Sequence, residues 1–321
     1  MKICIVGAGA IGSYLGVKLI NAGFDVSLVA RGEHLEAMRN TGLTLIEDEK
    51  KITCFPKCTD SIEELGKMDF IFITLKAYSI PIIVKDIVKM FNANTSVITA
   101  YNGMPWWYFF NHQGTLNNYK IKCVDQNNLQ WNLITPKRII GCVVYPATEI
   151  IKPGVIKHIE GNRFSLGEPN GIKSERIVRI SKTLVNAGFK APIRSNIRQD
   201  IWTKLIGNLA FNPLSVITGE TLDELASKEE NKKIAYSVMK EASLIMDKLK
   251  IPLNISIEQR IDGAAKVGKH KTSMLQDFEK GKELEIDSLI VAVKEIGELL
   301  KIKTPAINKI LKNLEKKLSQ N

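Results

Sequence analysis

From residue 1 to about residue 170, short runs of β-branched and aliphatic residues alternate with amphipathic stretches. Lys2 to Val6, Asp25 to Val29, Phe70 to Leu75 and Ser96 to Ala100 read as strands, and Ile11 to Ala22 and Ile80 to Phe91 as helices. Such alternation predicts a parallel sheet with helices packed on it. Gly141 to Pro146, Gly154 to Ile159 and Arg163 to Leu166 are shorter β-like runs bounded by Pro-Gly and Gly-Asn turns, and are expected to extend the first sheet as antiparallel strands. After about residue 195 apolar residues fall three and four apart to the end of the chain, which predicts an all-helical second half. Glu168-Pro169-Asn170-Gly171 marks the expected boundary, giving domains 1–170 and 171–321. A chain of 321 residues holds two domains of ordinary size.

The first strand runs directly into Gly7-Ala8-Gly9-Ala10-Ile11-Gly12, and this turn opens an amphipathic helix. In that context Gly-x-Gly-x-x-Gly is a dinucleotide-binding fingerprint: glycines allow a tight turn, a close pyrophosphate and close helix packing, with the helix N-terminus facing the phosphates. The first domain is therefore expected to be a Rossmann-type doubly wound α/β sheet. The second strand ends at Val29-Ala30-Arg31-Gly32, without the acid that would accept from a ribose 2′-hydroxyl. Arg31 instead places a guanidinium where a 2′-phosphate would lie, so NADP is expected as cofactor rather than NAD.

Between Arg198 and Asn212 the apolar positions fall on one half of a helical wheel, and Lys204, Asn208 and Asn212 form a stripe at its edge. Their spacing of four stacks them along one side over about 12 Å. Asparagine is a poor mid-helix residue, so two of them aligned with a lysine fit either a solvated face or the orientation of a polar ligand. Pro213 is expected to stop or kink the helix at once. Ser273-x-x-Gln276 has the form of a capping box, so the Ser273 hydroxyl either caps a helix or meets a ligand.

Taken together, Gly7 to Gly12, Asn102-Gly103 after a strand, Ile201-Trp-x-Lys204-x-x-x-Asn208-x-x-x-Asn212-Pro213-Leu214, and Ser273-Met-Leu-Gln-Asp277 with Glu285-Ile-Asp287 resemble the ketopantoate reductase family over nearly the whole chain. The resemblance implies an NADPH-dependent reduction of a 2-oxo acid, with Lys204 as general acid. It implies that Asn102, Asn208, Asn212 and Ser273 hold the substrate, that Asn102 and Glu285 also meet the cofactor, and that Glu285 belongs to the catalytic set. Lys76 matches a lysine near the 2′-phosphate, and Ala147 an alanine whose backbone contacts NADP. Independently of the family, hydride addition to a ketone develops alkoxide charge, which a nearby ammonium stabilises and protonates. His270 and Thr218 stand where the family carries asparagine, and Tyr101 where it carries glutamine. The run Met104-Pro-Trp-Trp-Tyr-Phe109 reads as core or as a dimer patch ahead of an aryl-binding wall. The substrate expected is ketopantoate or a near relative; a dehydrogenase of a bulkier 2-hydroxy acid and a non-catalytic NADP sensor are the alternatives.

The net charge of +11 is spread over the chain rather than clustered, so it suits an anionic cofactor and substrate and not a nucleic acid. No apolar stretch approaches the roughly 20 residues of a membrane span. The first residues enter a strand directly, which predicts no signal peptide and a cytoplasmic enzyme. Five scattered cysteines and four scattered histidines suggest no disulfide framework and no metal site, and most of the histidines are expected at the surface. A homodimer is compatible with the chain.

Overall fold

The computed structural model describes residues 1–320 and divides into two compact units. The first comprises Met1–Tyr101, Trp106–Lys120 and Asn127–Ile197. Its strands are β1 (Lys2–Val6), β2 (Asp25–Val29), β3 (Leu43–Glu47), β4 (Lys50–Cys54), β5 (Lys57–Thr59), β6 (Met68–Ile73), β7 (Phe91–Thr99), β8 (Ile139–Val144), β9 (Ala147–Lys152), β10 (Val155–Glu160) and β11 (Phe164–Gly167). Its helices are α1 (Ala10–Asn21), α2 (Gly32–Thr41), α3 (Ile80–Ile87), α4 (Leu129–Leu133) and α5 (Glu175–Asn186).

Seven strands form one sheet in the order β11-β8-β7-β6-β1-β2-β5, all neighbours parallel except β11 against β8. Read from β5 to β8 this is the order of a Rossmann sheet, as expected. Ile3, Ile5, Phe70, Phe72, Val97 and Ile98 are fully or almost fully buried, which is why these strands are continuous apolar runs.

Two expectations are corrected. Val155–Glu160 does not extend the first sheet; it pairs with β9 and β3 in a separate four-stranded sheet of order β4-β3-β10-β9. In this sheet Leu45 and Ile156, paired across β3 and β10, join the core with Tyr14 and Leu15 of α1, while Ile150 and Ile151 on β9 are exposed. Only Phe164–Gly167 extends the first sheet in the expected antiparallel sense. The first unit also runs on to Ile197, beyond residue 170, because Ile177, Ile180 and Leu184 of α5 belong to the same buried cluster as β1 and β6.

The second unit comprises Asn102–Pro105, Ile121–Gln126 and the chain from Arg198 onward. Its helices are α6 (Ile197–Thr218), α7 (Leu222–Ser227), α8 (Glu229–Lys248), α9 (Ile257–Lys266), α10 (Ser273–Glu279), α11 (Ala292–Leu299) and α12 (Pro305–Leu318), with a π turn at Asp287–Val291 leading into α11. Pro213 neither stops nor ends α6, which continues to Thr218. Pro213, Leu214, Ser215 and Val216 are all buried, so packing outweighs a local cost of about 3 kcal/mol. Buried Glu241 of α8 accepts from the Ala306 and Ile307 N–H groups at 2.7 and 2.9 Å, fixing the start of α12 to the centre of this unit.

Candidate active site

The glycine turn is built from backbone. Gly7 has φ +105°, and the N–H groups of Gly7 and Ala8 both donate to the Val29 carbonyl at the end of β2, at 3.1 and 2.9 Å. On the other side Thr74 Oγ1 donates to the Gly7 carbonyl at 2.6 Å. The turn is thus clamped between the ends of β2 and β6, so Arg31 and Lys76, each two residues further along, flank it. Arg31 is exposed and starts α2; Lys76 is half-buried and precedes a short 3-10 turn. A Cβ at Gly12 would run into the Gly7 carbonyl oxygen, which explains the third glycine of the motif. At Gly9, by contrast, a Cβ would meet nothing within 4 Å. No side chain caps α1 and its first turn holds no acid. This open, uncapped and positively polarised N-terminus fits the pyrophosphate of a dinucleotide. Ala147 opens β9, three residues beyond the end of β8.

His34 joins this turn, and nothing in the sequence spacing announced it. Its Nδ1 accepts from the Gly154 N–H at 3.0 Å, and its Nε2 lies 3.1 Å from Ser13 Oγ, which donates to the Ala8 carbonyl at 2.9 Å. An accepting Nδ1 requires the proton on Nε2. Burial holds this imidazole below its ordinary pKa. All four histidines are half-buried, which corrects the surface placement expected for them.

The polar stripe of α6 is built from side chains. Lys204 Nζ on α6 donates to Asn102 Oδ1 at 2.8 Å. Asn102 sits in the loop after β7, and that loop is anchored within the helical unit by Met104 N–H, which donates to the Ser288 carbonyl at 2.7 Å. Ser288 lies in the π turn that follows Glu285. Such a turn puts one backbone carbonyl out of helical register, and π turns recur at functional sites. Glu285 is buried at 6 % exposure, and its carbonyl accepts from Leu289 N–H, so it stands at a helix start. Further along α6, Asn208 is half-buried and Asn212 buried.

Ser273 is the first residue of α10 and is exposed, while the cap is Thr272, whose Oγ1 accepts from Leu275 N–H at 3.2 Å. The capping alternative for Ser273 therefore falls away. Thr272 Oγ1 also lies 2.6 Å from Ser215 Oγ, which donates to the Asn212 carbonyl at 2.7 Å. This chain of hydroxyls ties the start of α10 to the Asn212 end of the stripe. His270, three residues before Ser273, is half-buried, and its carbonyl accepts from Leu222 N–H at 2.9 Å.

Trp106, Trp107, Tyr108 and Phe109 are almost completely buried, and Trp107 Nε1 donates to Thr99 Oγ1 at 2.9 Å. The aromatic run is core, not a wall of a binding site. Among the described residues no group of His, Cys, Asp or Glu could hold a metal ion, and no helix is long and apolar enough to cross a membrane. The five cysteines are free thiols; burial pushes Cys4 up to about 12.

Comparison with known proteins bears on the family of the whole chain. The family model for ketopantoate reductase PanE/ApbA matches residues 3–171, and that for its C-terminal part matches residues 196–317. A 2-dehydropantoate 2-reductase of Mesorhizobium japonicum is 47% identical over 312 residues, covering 97% of this chain and 96% of the relative. Another from Pyrococcus horikoshii is 31% identical over 310 residues, covering 95% and 93%. Among solved structures, a Ralstonia solanacearum protein proposed to be a ketopantoate reductase superposes with a TM-score of 0.95 at 35% identity, covering 100% of this chain and 98% of that one. A D-mandelate dehydrogenase in a ternary structure with NADH and anilino(oxo)acetate superposes with a TM-score of 0.86 at 22% identity, covering 100% and 99%, a likeness of fold. With both halves matched in order and a relative nearly half identical along the full length, this chain belongs to the ketopantoate reductase family.

Proposed function

We propose that this chain reduces a 2-oxo acid to the 2-hydroxy acid, with 2-dehydropantoate as substrate, pantoate as product and NADPH as reductant. The observation that carries the reading is the Lys204 ammonium held by Asn102 Oδ1 at 2.8 Å, on the helix face that also carries Asn208 and Asn212. A nicotinamide dinucleotide, when bound, supplies the hydride.

The residues of the chain supply the rest. Lys204 meets the oxygen of the ketone, stabilises the charge that grows there and donates the proton. Asn102 Oδ1 accepts a hydrogen bond from one ammonium N–H and so directs the remaining N–H donors, a fixed orientation that needs no reorganisation during reaction. Asn208 and Asn212 orient the substrate along α6, and Ser273 reaches it with a hydroxyl that is not engaged as a helix cap. Glu285 holds the nicotinamide end of the cofactor. The N–H groups of the Gly7 to Gly12 turn hold the pyrophosphate, Arg31 and Lys76 select a 2′-phosphate from either side of it, and Ala147 contributes backbone. Burial of the aromatic run supports a small aliphatic oxo acid over an aryl one.

The test follows NADPH oxidation with 2-dehydropantoate, phenylglyoxylate and other 2-oxo acids, and repeats it with NADH. Turnover fastest with 2-dehydropantoate and NADPH is expected. Tight NADPH binding without turnover of any oxo acid would point to a sensor.

A further inference from the structure

We propose that His34 is a positioning residue for the dinucleotide: through the Ser13 hydroxyl it fixes the Ala8 carbonyl, and with it the donors that the glycine turn offers to the pyrophosphate, an inference that rests on the cofactor site proposed above.

The direction of each hydrogen bond between these groups is forced. A backbone N–H only donates, so the Gly154 N–H leaves His34 Nδ1 no role but acceptor, at 3.0 Å, and the ring proton sits on Nε2. That proton faces Ser13 Oγ at 3.1 Å. A hydroxyl has one proton to give, and with the imidazole donating to it that proton goes to the Ala8 carbonyl at 2.9 Å. In the other tautomer a bare Nε2 would accept from Ser13 Oγ and draw the proton away from Ala8. Gly154 thus selects the tautomer, and the tautomer aims the hydroxyl. Burial lowers the His34 pKa more than its hydrogen bonding with the Ala8 carbonyl raises it, so the neutral ring is the working form. Ser13 is fully buried, which keeps water from competing for its hydroxyl.

The Ala8 carbonyl matters through the peptide it belongs to. Carbonyl and N–H of a trans peptide point opposite ways, so a held Ala8 oxygen orients the Gly9 N–H, which donates to the Gly7 carbonyl at 2.7 Å. The Ala8–Gly9 peptide is therefore fixed at both ends where it leads into α1. The Ala8 oxygen is also the one to which the Gly12 N–H would donate were α1 a residue longer. Held by Ser13 instead, it lets the helix open one residue later, with Ser13 N–H donating to the Gly9 carbonyl at 2.8 Å. The N–H groups before that bond are the ones an anion meets at a helix start.

The experiment measures Kd for NADPH and for NADH by fluorescence titration, together with the thermal midpoint, in wild type, Ser13→Ala, His34→Asn, His34→Gln and the Ser13→Ala/His34→Asn pair. An Asn amide reaches the place of Nδ1 and keeps the bond from Gly154; a Gln amide reaches the place of Nε2 and keeps a donor for Ser13. Ser13→Ala and His34→Asn are expected to raise Kd by about 5- to 10-fold, equally for both cofactors because the pyrophosphate is common to them. His34→Gln should bind within about two-fold of wild type although it loses the bond from Gly154, so affinity and thermal midpoint part company, which a purely structural histidine would not allow. The pair should bind no more weakly than the weaker single variant, since both changes act through one hydroxyl. Wild-type affinity in Ser13→Ala and His34→Asn, or a Kd that follows the thermal midpoint across the set, overturns the inference alone. A wild type that binds neither dinucleotide overturns the cofactor site and this inference with it.

Discussion

The glycine turn and the α6 stripe present polar groups by opposite means. The turn removes side chains so that backbone N–H groups and a helix end are presented, and it is held by Val29 and Thr74 from two neighbouring strand ends. The stripe presents Lys204, Asn208 and Asn212 from a helix whose other face is packed, and borrows Asn102 from a loop tied down at Ser288. A turn made of backbone can hold a cofactor but offers no titratable group. A stripe made of side chains can do proton chemistry, and each of its members can be deleted singly. The two regions should therefore fail differently.

The largest separation is expected from Lys204→Ala, which should lower kcat by about 10²- to 10⁴-fold with NADPH affinity within about two-fold of wild type by fluorescence titration. Gly12→Ala should do the reverse. Its Cβ meets backbone at Gly7 rather than a movable side chain, so NADPH affinity should fall by about 10- to 100-fold in the same titration. Arg31→Ala should weaken NADPH by about 10-fold and NADH by less than two-fold, read as Kd for each; equal losses would remove Arg31 from phosphate recognition.

The smallest effect concerns His34, whose folded pKa is depressed by burial below 6.5. The unfolded chain then binds the proton more readily, so this group favours the folded state above pH 6.5, and that contribution is lost as pH falls through the depressed value. The outcome expected is a thermal midpoint that declines from pH 6.5 downward in wild type and declines less in His34→Asn, which keeps an acceptor for Gly154 N–H without titrating.

How much of this could be read beforehand follows from the same contrast. The glycine turn was legible because strand, glycine spacing and helix are contiguous, and each signal is local. The stripe was legible because a period of four survives in one helix, although Pro213 misled: local propensity gave way to burial on all sides. The N-cap of α10 was displaced by one residue, since Thr272 and Ser273 are both cap formers and the Leu275 and Ser215 contacts that single out Thr272 are not written in the local pattern. Pairings between distant segments left no trace. β3 lies beside β10 across more than a hundred residues, and His34 meets Gly154, so neither could be drawn from periodicity.

The claim on which the account depends is that Lys204 and Asn102 act as one unit. A double-mutant cycle on kcat with 2-dehydropantoate and NADPH tests it most directly, using Lys204→Ala, Asn102→Ala and the pair. Asn102→Ala alone is expected to cost about 10- to 100-fold, and the double variant no more than Lys204→Ala alone, because an amide that positions an ammonium has nothing to position once the ammonium is gone. Losses that multiply, or an Asn102→Ala enzyme with the wild-type kcat, would contradict the account.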